Sequence, residues 1–348
     1  MHILILGGTR FMGHFVTHQL ISQGHRVAVF HRGETPCHLP ESVEHIYGHR
    51  DHLPDFTKEI DAFKPDVVLD MIAFVEKNAD TLMSVFQNRT NRVVLASSCD
   101  VYRAYGIFHG KEQGQEPTPI TEASPVRKVL YPYRTDPPRP PDDPRAWMDH
   151  YDKIPIEQRV LNDANLSGTV LRLPAVYGPK DGQHRLFDTL KRIDDKRPFI
   201  LLEETRAQWR FCRGYVENVA AGIVLALTHN KAAGQIYNIS EPYTHTSLEW
   251  DLEIAKATHW QGHFEILPKN EMPPHLVDDH ANWTQHLNTD SSLIRNELGY
   301  HEIIPHDEAL QRTIAWERDN PPAQIDPLQF NYEAEDKAYH NYQKRSKA

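Results

Sequence analysis

The sequence has few cysteines, no long apolar run and no excess of positive charge. Only three of its 348 residues are cysteine, and Cys37, Cys99 and Cys212 stand too far apart for a zinc motif. This usage excludes a disulfide framework as the basis of the fold, and we expect a reducing, cytoplasmic location. No apolar run approaches the roughly 20 residues that a membrane-spanning helix needs, so we expect no membrane segment.

Basic side chains are outnumbered by acidic ones, 38 to 48, and the formal net charge is −10. A general nucleic-acid binder needs a basic surface for the phosphates, so this balance argues against nucleic acid as a partner. Histidine is abundant, with 22 residues, and His14 and His18 have the four-residue spacing of ligands on one helix face. No Glu or Cys accompanies them nearby, and we therefore predict no metal site.

Glycine is sparse as well, yet three of the 17 glycines fall between positions 7 and 13. They follow the apolar run from Ile3 to Leu6 and precede a segment whose apolar residues have helical spacing. A strand, a tight glycine turn and a helix place a dinucleotide's pyrophosphate on unpaired N–H groups at the helix N-terminus. The motif predicts cofactor contacts along the whole turn: Gly7, Gly8, Thr9, Arg10, Phe11, Met12 and Gly13.

Apolar strands alternate with helical segments through the first half of the chain. Strand-like runs lie at 25–30, 43–47, 66–70, 92–96 and 168–173, and helical segments at 11–23, 56–63, 77–89 and 154–165. Strands separated by helices form a parallel sheet with right-handed crossovers. Continuous rather than alternating apolarity fits a sheet covered on both faces. We therefore predict an α/β fold with a doubly wound parallel sheet.

One long segment, residues 116–150, interrupts this alternation. It is rich in proline, holds several arginines and contains Tyr131-Pro132-Tyr133. A long irregular segment inside a compact domain is usually functional or disordered, and the tyrosine pair indicates packing against another part of the molecule. After Pro179 the pattern loosens, which predicts a smaller, partly helical second domain. The polar residues from 336 to 348 are expected to form a frayed tail.

The residues after the second predicted strand indicate which dinucleotide binds. An acidic residue there usually binds the adenosine ribose, but this strand ends in Phe30-His31-Arg32 without a carboxylate. The side chains of His31 and Arg32, with Arg10 in the glycine turn, suit a 2′-phosphate. We therefore predict NADP as the preferred cofactor. In the alternative, NAD binds and Arg32 only stacks on the adenine.

Several motifs resemble those of one family, the extended short-chain dehydrogenases/reductases. The segments concerned are 96–102 (Ala-Ser-Ser-Cys-Asp-Val-Tyr), 171–179 (Leu-Arg-Leu-Pro-Ala-Val-Tyr-Gly-Pro) and 210–220. They are similar to those of the NAD(P)-dependent epimerase/dehydratases, which include UDP-galactose 4-epimerase, and the resemblance covers about 320 residues. The glycine turn resembles the family's GxxGxxG motif. Arg10 replaces the middle glycine, as in a subgroup that includes chloroplast stem-loop-binding proteins.

The resemblance implies two interleaved domains. A Rossmann-like domain that binds NAD(P) would comprise residues 1–175 and 214–240, and a smaller α+β substrate-binding domain would comprise 176–213 and 241–335. Beyond the glycine turn, cofactor contacts are expected at His31, Arg32, Arg50, Met71, Ile72, Ala73, Lys153, Pro174 and Ala175. The family also allows a homodimer.

The resemblance further implies a catalytic serine at Ser98 and the family's catalytic lysine at Lys153. Substrate contacts are expected at Ser98, Tyr102, Arg210 and Arg213, with the arginines on a substrate phosphate. The lysine's charge lowers the pKa of a nearby tyrosine, whose phenolate removes a hydroxyl proton. The serine hydroxyl steadies the developing oxyanion.

One catalytic position departs from the family's pattern. The family uses a tyrosine four residues before the lysine, on the same helix face, but Asp149 stands there in this chain. Tyr151 lies two residues before Lys153, and side chains at this spacing lie on different faces of a regular helix. If Asp152 caps a helix that starts at Lys153, Tyr151 precedes the helix and its ring can still enter the site. Three assignments stay open: Tyr151 is the base, His150 or Asp149 is the base, or the standard redox chemistry is absent.

These observations predict an NAD(P)-dependent enzyme of epimerase, dehydratase or reductase type. Its substrate would be a polar small molecule with a hydroxyl or keto group, such as a nucleotide-sugar. The alternative is a non-catalytic NADP-binding protein. Such a protein would bind RNA, like the chloroplast proteins, or sense redox state and bind another protein through the proline-rich segment.

Overall fold

The fold is built around a parallel sheet, seen here in a computed structural model that describes residues 1–346. The strands are β1 His2–Leu6, β2 Arg26–His31, β3 Glu44–Tyr47, β4 Val67–Asp70, β5 Arg92–Ser98, β6 Ser167–Leu173, β7 Ala175–Tyr177, β8 Phe199–Glu203, β9 Arg213–Tyr215, β10 Ile236–Asn238 and β11 His263–Leu267. The α-helices are α1 Phe11–Ser22, α2 Thr57–Phe63, α3 Glu76–Phe86, α4 Arg103–Phe108, α5 Lys153–Leu161, α6 Phe187–Asp194, α7 Glu204–Gln208, α8 Val216–Thr228, α9 Ser247–Ala257, α10 Ser292–Leu298, α11 His306–Asp319 and α12 Tyr332–Ser346.

Seven strands form one sheet in the order β10-β6-β5-β4-β1-β2-β3. Every pairing within it is parallel. Alternate residues of β1 enter two separate cores: Ile3 and Ile5 belong to one, Leu4 and Leu6 to the other. The sheet is therefore covered on both faces, and the prediction of a doubly wound α/β fold is confirmed. The strand order reverses next to β1, where such folds bind ligands at the carboxyl ends of the strands.

The remaining strands form two separate pairs, β7 with β9 and β8 with β11. Helix α8 packs against α1, where the Gln19 amide donates to the carbonyl oxygen of Glu217 at 2.9 Å, and β10 then joins the sheet beside β6. The chain thus leaves the sheet after β6 and returns to it. The two-domain boundaries implied by the resemblance require such a return, and they stay a prediction.

The C-terminal segment differs from the sequence expectation. Helix α12 packs on β8, with the rings of Tyr339 and Phe199 stacked at a centroid distance of 4.0 Å. The side chain of Glu335 is fully buried and pairs with Arg192 at 2.9 Å. The expectation of a frayed tail from residue 336 is wrong as far as Ser346, because these ionic and aromatic contacts hold a helix of polar composition. Residues 347 and 348 lie outside the described residues.

Residues 1–346 lack two further features. No helix in this range is long and apolar enough to cross a membrane. Over the same range, no group of three or more His, Cys, Asp or Glu side chains is placed to hold a metal ion. The rings of His14 and His18 do lie together, with centroids 4.3 Å apart.

Candidate active site

The glycine turn joins β1 to α1 at the centre of the sheet. Gly7 has a φ of +91°, a left-handed conformation that favours glycine. A Cβ atom on Gly13 would lie 2.7 Å from the carbonyl oxygen of Gly7 and 2.7 Å from the Cα of Gly8. The start of α1 therefore packs backbone to backbone on the turn, and its first N–H groups lie at the carboxyl end of β1.

A cleft of about 670 Å³ opens beside this turn, a volume within the usual range for small-molecule sites. Seven predicted cofactor residues line it: Gly7, Thr9, Arg10, His31, Arg32, Arg50 and Ile72. The other predicted cofactor residues are not part of its lining: Gly8, Phe11, Met12, Gly13, Met71, Ala73, Lys153, Pro174 and Ala175. The cleft is also lined by residues that were not predicted as cofactor contacts, among them Phe74, Asn78 and Trp147.

Arg50 lines this cleft as one half of a buried ion pair. Its guanidinium pairs with the fully buried Asp70 at 2.5 Å and donates to the carbonyl oxygen of Asn78 at 3.1 Å. Its Nε and Nη1 atoms are buried without a hydrogen-bond partner among residues 1–346. Buried donors of this kind are costly unless an acceptor satisfies them. The residues present therefore fit a ligand with phosphate and hydroxyl oxygens, such as a dinucleotide.

The side chains beyond β2 have partners that the sequence did not predict. Arg32 pairs with Glu34 at 3.1 Å, and both side chains are exposed. Arg10 donates from Nε to the Thr35 hydroxyl at 3.0 Å. The ring of His31 lies 2.8 Å from that of His45, and burial, followed by the His45 charge, lowers the pKa of His31. At neutral pH the positive charge at this end therefore comes from the two arginines.

Helix α5 begins at Lys153, one residue before the segment predicted at 154–165 and at the start that capping by Asp152 requires. The Asp152 carboxylate caps it by accepting the N–H of Ile154 at 2.9 Å, and it pairs with the buried Arg127 at 3.1 Å. Tyr151 precedes the helix in an extended conformation. The rule that places side chains two residues apart on different helix faces therefore does not apply to Tyr151.

Lys153 connects the carboxyl ends of two neighbouring strands. Its buried ammonium donates to the carbonyl oxygen of Ala73, just after β4, at 2.6 Å, and to that of Ala96 in β5 at 3.0 Å. Burial lowers the pKa of Lys153 to about 8, although Asp70 and Asp100 oppose the shift. The lysine is therefore mostly charged at neutral pH and close to losing its proton.

Asp100, in the turn after β5, joins two tyrosines. Its Oδ2 accepts hydrogen bonds from the hydroxyls of Tyr151 at 3.0 Å and Tyr133 at 3.2 Å. Burial raises the pKa of Asp100, although Arg127 and these hydroxyls oppose the rise. Burial, followed by the Asp100 charge, holds the pKa of Tyr151 well above its ordinary value. The lowered tyrosine pKa that the resemblance implied is therefore wrong for Tyr151 in this structure. Asp100 and Tyr133 were missed as site residues, although Asp100 lies only two positions after the predicted Ser98.

The other candidates for the base have different surroundings. The Asp149 carboxylate accepts the N–H groups of Arg139 at 2.6 Å and Thr135 at 3.2 Å, and it pairs with the Arg139 guanidinium. Burial opposes ionisation of Asp149, but these contacts outweigh it and lower the pKa. His150 is exposed. By contrast, the ring of Tyr151 lies 6.0 Å from the Lys153 ammonium.

Ser98 ends β5, as the resemblance implied. Its hydroxyl accepts the N–H of Asp100 at 3.1 Å, and the residue is half-buried. This bond uses a lone pair of the Ser98 oxygen, and its proton can still be donated. Ser98 and Tyr151 thus both bond to Asp100, one to its N–H and the other to its carboxylate. The Lys153 ammonium lies nearby on the carbonyl oxygen of Ala96, two residues before Ser98.

The proline-rich segment folds over this corner of the molecule. The Tyr131 N–H donates to the Asp152 carboxylate at 2.7 Å, and the ring of Tyr133 lies 5.3 Å from that of Tyr151. The Arg127 guanidinium donates to the carbonyl oxygen of Asp100 at 2.5 Å. The prediction that the tyrosine pair packs on another part of the molecule is confirmed.

Tyr102 lies in the core, and the expectation of a substrate contact there is wrong in this structure. The residue is fully buried, and its hydroxyl donates to Asn238 in β10 at 2.6 Å. The Arg172 guanidinium lies 4.7 Å from the centre of its ring. No part of the side chain is left for a substrate, because Tyr102 links the end of β5 to the edge strand.

The two arginines expected on a substrate phosphate lie apart from the cleft beside the glycine turn. Arg213 packs on the ring of Trp250 at 4.4 Å, and burial lowers its pKa to about 10. Arg210 pairs with Glu249 at 3.3 Å and lines a second cleft, of about 390 Å³, together with Arg295. Their role in substrate binding stays a prediction.

The sheet order and the glycine turn define a nucleotide-binding type of α/β fold. The model of the NAD dependent epimerase/dehydratase family matches residues 3–133 and 151–240, more than half of the chain. The chain therefore belongs to the NAD-dependent epimerase/dehydratase family, which confirms the resemblance seen in its motifs. The match leaves out residues 134–150, within the proline-rich segment.

Two similar sequences have different assigned roles. The chloroplast stem-loop binding protein of 41 kDa b from Arabidopsis thaliana is 28% identical over 251 residues, which cover 68% of this chain and 58% of that protein. The 2′-dehydrokanamycin reductase of Streptomyces kanamyceticus is 24% identical over 249 residues, 69% of this chain and 62% of that enzyme. The chain thus spans less than two thirds of the length of either relative.

Solved structures share the fold. The dTDP-glucose 4,6-dehydratase of Bacillus anthracis, solved in complex with NAD, superimposes with a TM-score of 0.64. The two proteins are 16% identical, and the match covers 94% of this chain and 99% of the dehydratase. At this identity the likeness establishes the fold, and the chemistry must be argued from the site itself.

Proposed function

We propose that this protein is an NAD(P)-dependent enzyme of epimerase, dehydratase or reductase type. Its substrate would carry a hydroxyl or keto group on a polar small molecule, such as a nucleotide-sugar. The observation that carries the proposal is that Ser98 and Tyr151 both bond to Asp100, while the Lys153 ammonium is fixed on the neighbouring end of β5. Support also comes from the family and from the reductase and the dehydratase among its relatives.

A nicotinamide dinucleotide would supply the hydride acceptor or donor when it is bound. The N–H groups at the start of α1 would bind its pyrophosphate. Arg50 would use its unpartnered Nε and Nη1 on phosphate or hydroxyl oxygens. The Lys153 ammonium, already fixed by two carbonyl oxygens, keeps one further proton for a ribose hydroxyl.

Tyr151 and Asp100 would move the proton. Because its pKa is held high, the Tyr151 hydroxyl is protonated at neutral pH and donates to Asp100. As Tyr151 takes the proton of a substrate hydroxyl, its own proton passes to Oδ2 of Asp100, whose raised pKa makes it a better acceptor. Ser98 would donate to the substrate oxygen and stabilise its developing charge.

We also propose NADP as the preferred cofactor, and Arg32→Asp tests this preference. The change removes a donor for the 2′-phosphate and places a second carboxylate beside Glu34. We expect the ratio of NADPH to NADH affinity to fall by about tenfold to a hundredfold, the effect of one charge-assisted hydrogen bond. Calorimetric titration gives both dissociation constants. Arg145→Asp, with the same charge change at an exposed position outside the cleft, is the control. An unchanged ratio in Arg32→Asp would rule out the preference.

A non-catalytic role is the second candidate, and the similarity to the chloroplast stem-loop binding protein favours it. RNA binding through phosphates weakens steeply with salt, and the net charge of −10 offers little general attraction. Filter binding of an RNA stem-loop at low and high salt decides between the two. If the protein binds the RNA in a salt-dependent way and turns over no substrate, the RNA-binding role is correct and the enzymatic proposal is wrong.

A further inference from the structure

The segment missing from the family match contributes a side chain to the cofactor cleft. The match stops at residue 133 and resumes at 151. Between these points a short turn of 3-10 helix, Ala146–His150, places Trp147 in the lining of the 670 Å³ cleft. The Trp147 side chain is 46% exposed, whereas tryptophan is highly buried on average. Nearly half of this residue is therefore exposed while it lines a nucleotide-type cleft.

Aromatic neighbours hold Trp147 at this position. Its ring centroid lies 5.2 Å from that of Phe74, which lines the same cleft, and 6.2 Å from that of Tyr151. Phe74 in turn lies 5.0 Å from the Lys153 ammonium. Aromatic rings thus extend from the cleft to the corner formed by Asp100, Tyr151 and Lys153. Trp147 is the most exposed of these rings.

Asp149 closes the loop that carries Trp147. The Asp149 carboxylate accepts the N–H groups of Thr135 and Arg139, and its carbonyl oxygen accepts Arg134 Nε at 2.9 Å. The two ends of the 134–149 loop therefore meet at one residue, two positions after the tryptophan. The aspartate that replaces the family's tyrosine thus has a positioning role, because it fixes the turn that presents the indole.

We propose that Trp147 is a clamp for the bound dinucleotide. The inference rests on the proposed function, since the occupant of the cleft is the NAD(P) cofactor. An indole that packs on the dinucleotide loses exposed apolar surface and gains a stacking contact, and both effects favour the bound state. Because the clamp has to open before the cofactor leaves, it acts mainly on the dissociation rate.

The test is the binding of NADPH to the full chain, with dissociation constants from calorimetry and dissociation rates from stopped-flow fluorescence. We expect Trp147→Ala to raise the dissociation constant about tenfold, mostly through faster release, as a lost aromatic contact of this type does. Trp147→Phe keeps an aromatic ring and is expected to lose about threefold or less. Trp316→Phe is the control, because Trp316 stacks on His184 outside the cleft.

The outcomes separate this inference from the function on which it rests. An unchanged dissociation constant and release rate in Trp147→Ala, with wild-type binding intact, would overturn the clamp alone. A wild-type protein that binds neither NADPH nor NADH would overturn the proposed function, and the clamp with it. Thermal melting of each variant shows that it is folded. If Trp147→Ala is not folded, Trp147→Leu removes the ring while keeping an apolar side chain, and the same tenfold loss is expected of it.

Discussion

Tyr151→Phe is expected to lower kcat about a thousandfold while the affinity for NADPH stays within about twofold of wild type. The change removes only the hydroxyl that donates to Asp100 at 3.0 Å. The ring remains to pack on Phe74 and Trp147, so the cleft keeps its shape. Turnover of a panel of nucleotide-sugars is followed by chromatography of substrate and product, with the absorbance of the reduced nicotinamide as a second readout for net reduction. If Tyr151→Phe keeps full turnover, Tyr151 is not the acid–base group.

Tyr133→Phe is the matched comparison for this prediction. Tyr133 also donates a hydroxyl to Asp100, at 3.2 Å, but it comes from the proline-rich segment. If the Tyr151 hydroxyl carries the proton, Tyr133→Phe removes only one hydrogen bond to the Asp100 carboxylate. We therefore expect kcat to fall tenfold or less. Equal losses in both variants would show that the two hydroxyls act through Asp100 alone.

Gly13→Ala is expected to weaken NADPH binding about a hundredfold and to lower the free energy of unfolding by about 2 kcal/mol. The new Cβ would meet three backbone atoms of Gly7 and Gly8 at 2.7, 2.7 and 2.9 Å. Backbone atoms cannot swing aside as a flexible side chain does, so α1 has to move away from the turn. The move misplaces the N–H groups meant for the pyrophosphate, and two charge-assisted bonds lost there account for the affinity change.

Gly182→Ala is the control for the added methyl group. A Cβ at Gly182 meets nothing within 4 Å, and the residue lies outside the cleft. We expect its thermal midpoint and its NADPH affinity to equal those of wild type. Retention of both values in Gly13→Ala would contradict the account of the turn. The readouts are thermal unfolding and calorimetry.

The sequence was informative wherever structure follows from local pattern. The strand predicted at 168–173 is observed at Ser167–Leu173, and the helix predicted from residue 154 begins at Lys153. Both depend on continuous apolar runs and on capping residues, which are visible within a few positions. The glycine turn could be predicted for the same reason, since the close contact that requires Gly13 lies within seven residues.

The contacts around Asp100 could not be predicted in full because they join distant parts of the chain. Asp100 meets Tyr133 across 33 positions and Tyr151 across 51, and no local pattern encodes such pairs. The motif around Tyr102 indicated the family. It did not indicate that the Tyr102 hydroxyl donates a hydrogen bond to Asn238 in β10. The sequence shows that Asp149 stands where the family has a tyrosine. It does not show that the Asp149 carboxylate binds backbone N–H groups of the preceding loop, because the path of that loop depends on the whole fold.

We infer that the cleft beside the glycine turn holds a nicotinamide dinucleotide whose reactive ring faces Tyr151. A crystal structure of the protein with NADPH tests it most directly. We expect the pyrophosphate on the N–H groups at the start of α1, and the nicotinamide beside Ser98 and Tyr151 with room for a substrate carbon between them. A dinucleotide absent from this cleft at saturating concentration, or a nicotinamide turned away from Tyr151, would contradict it.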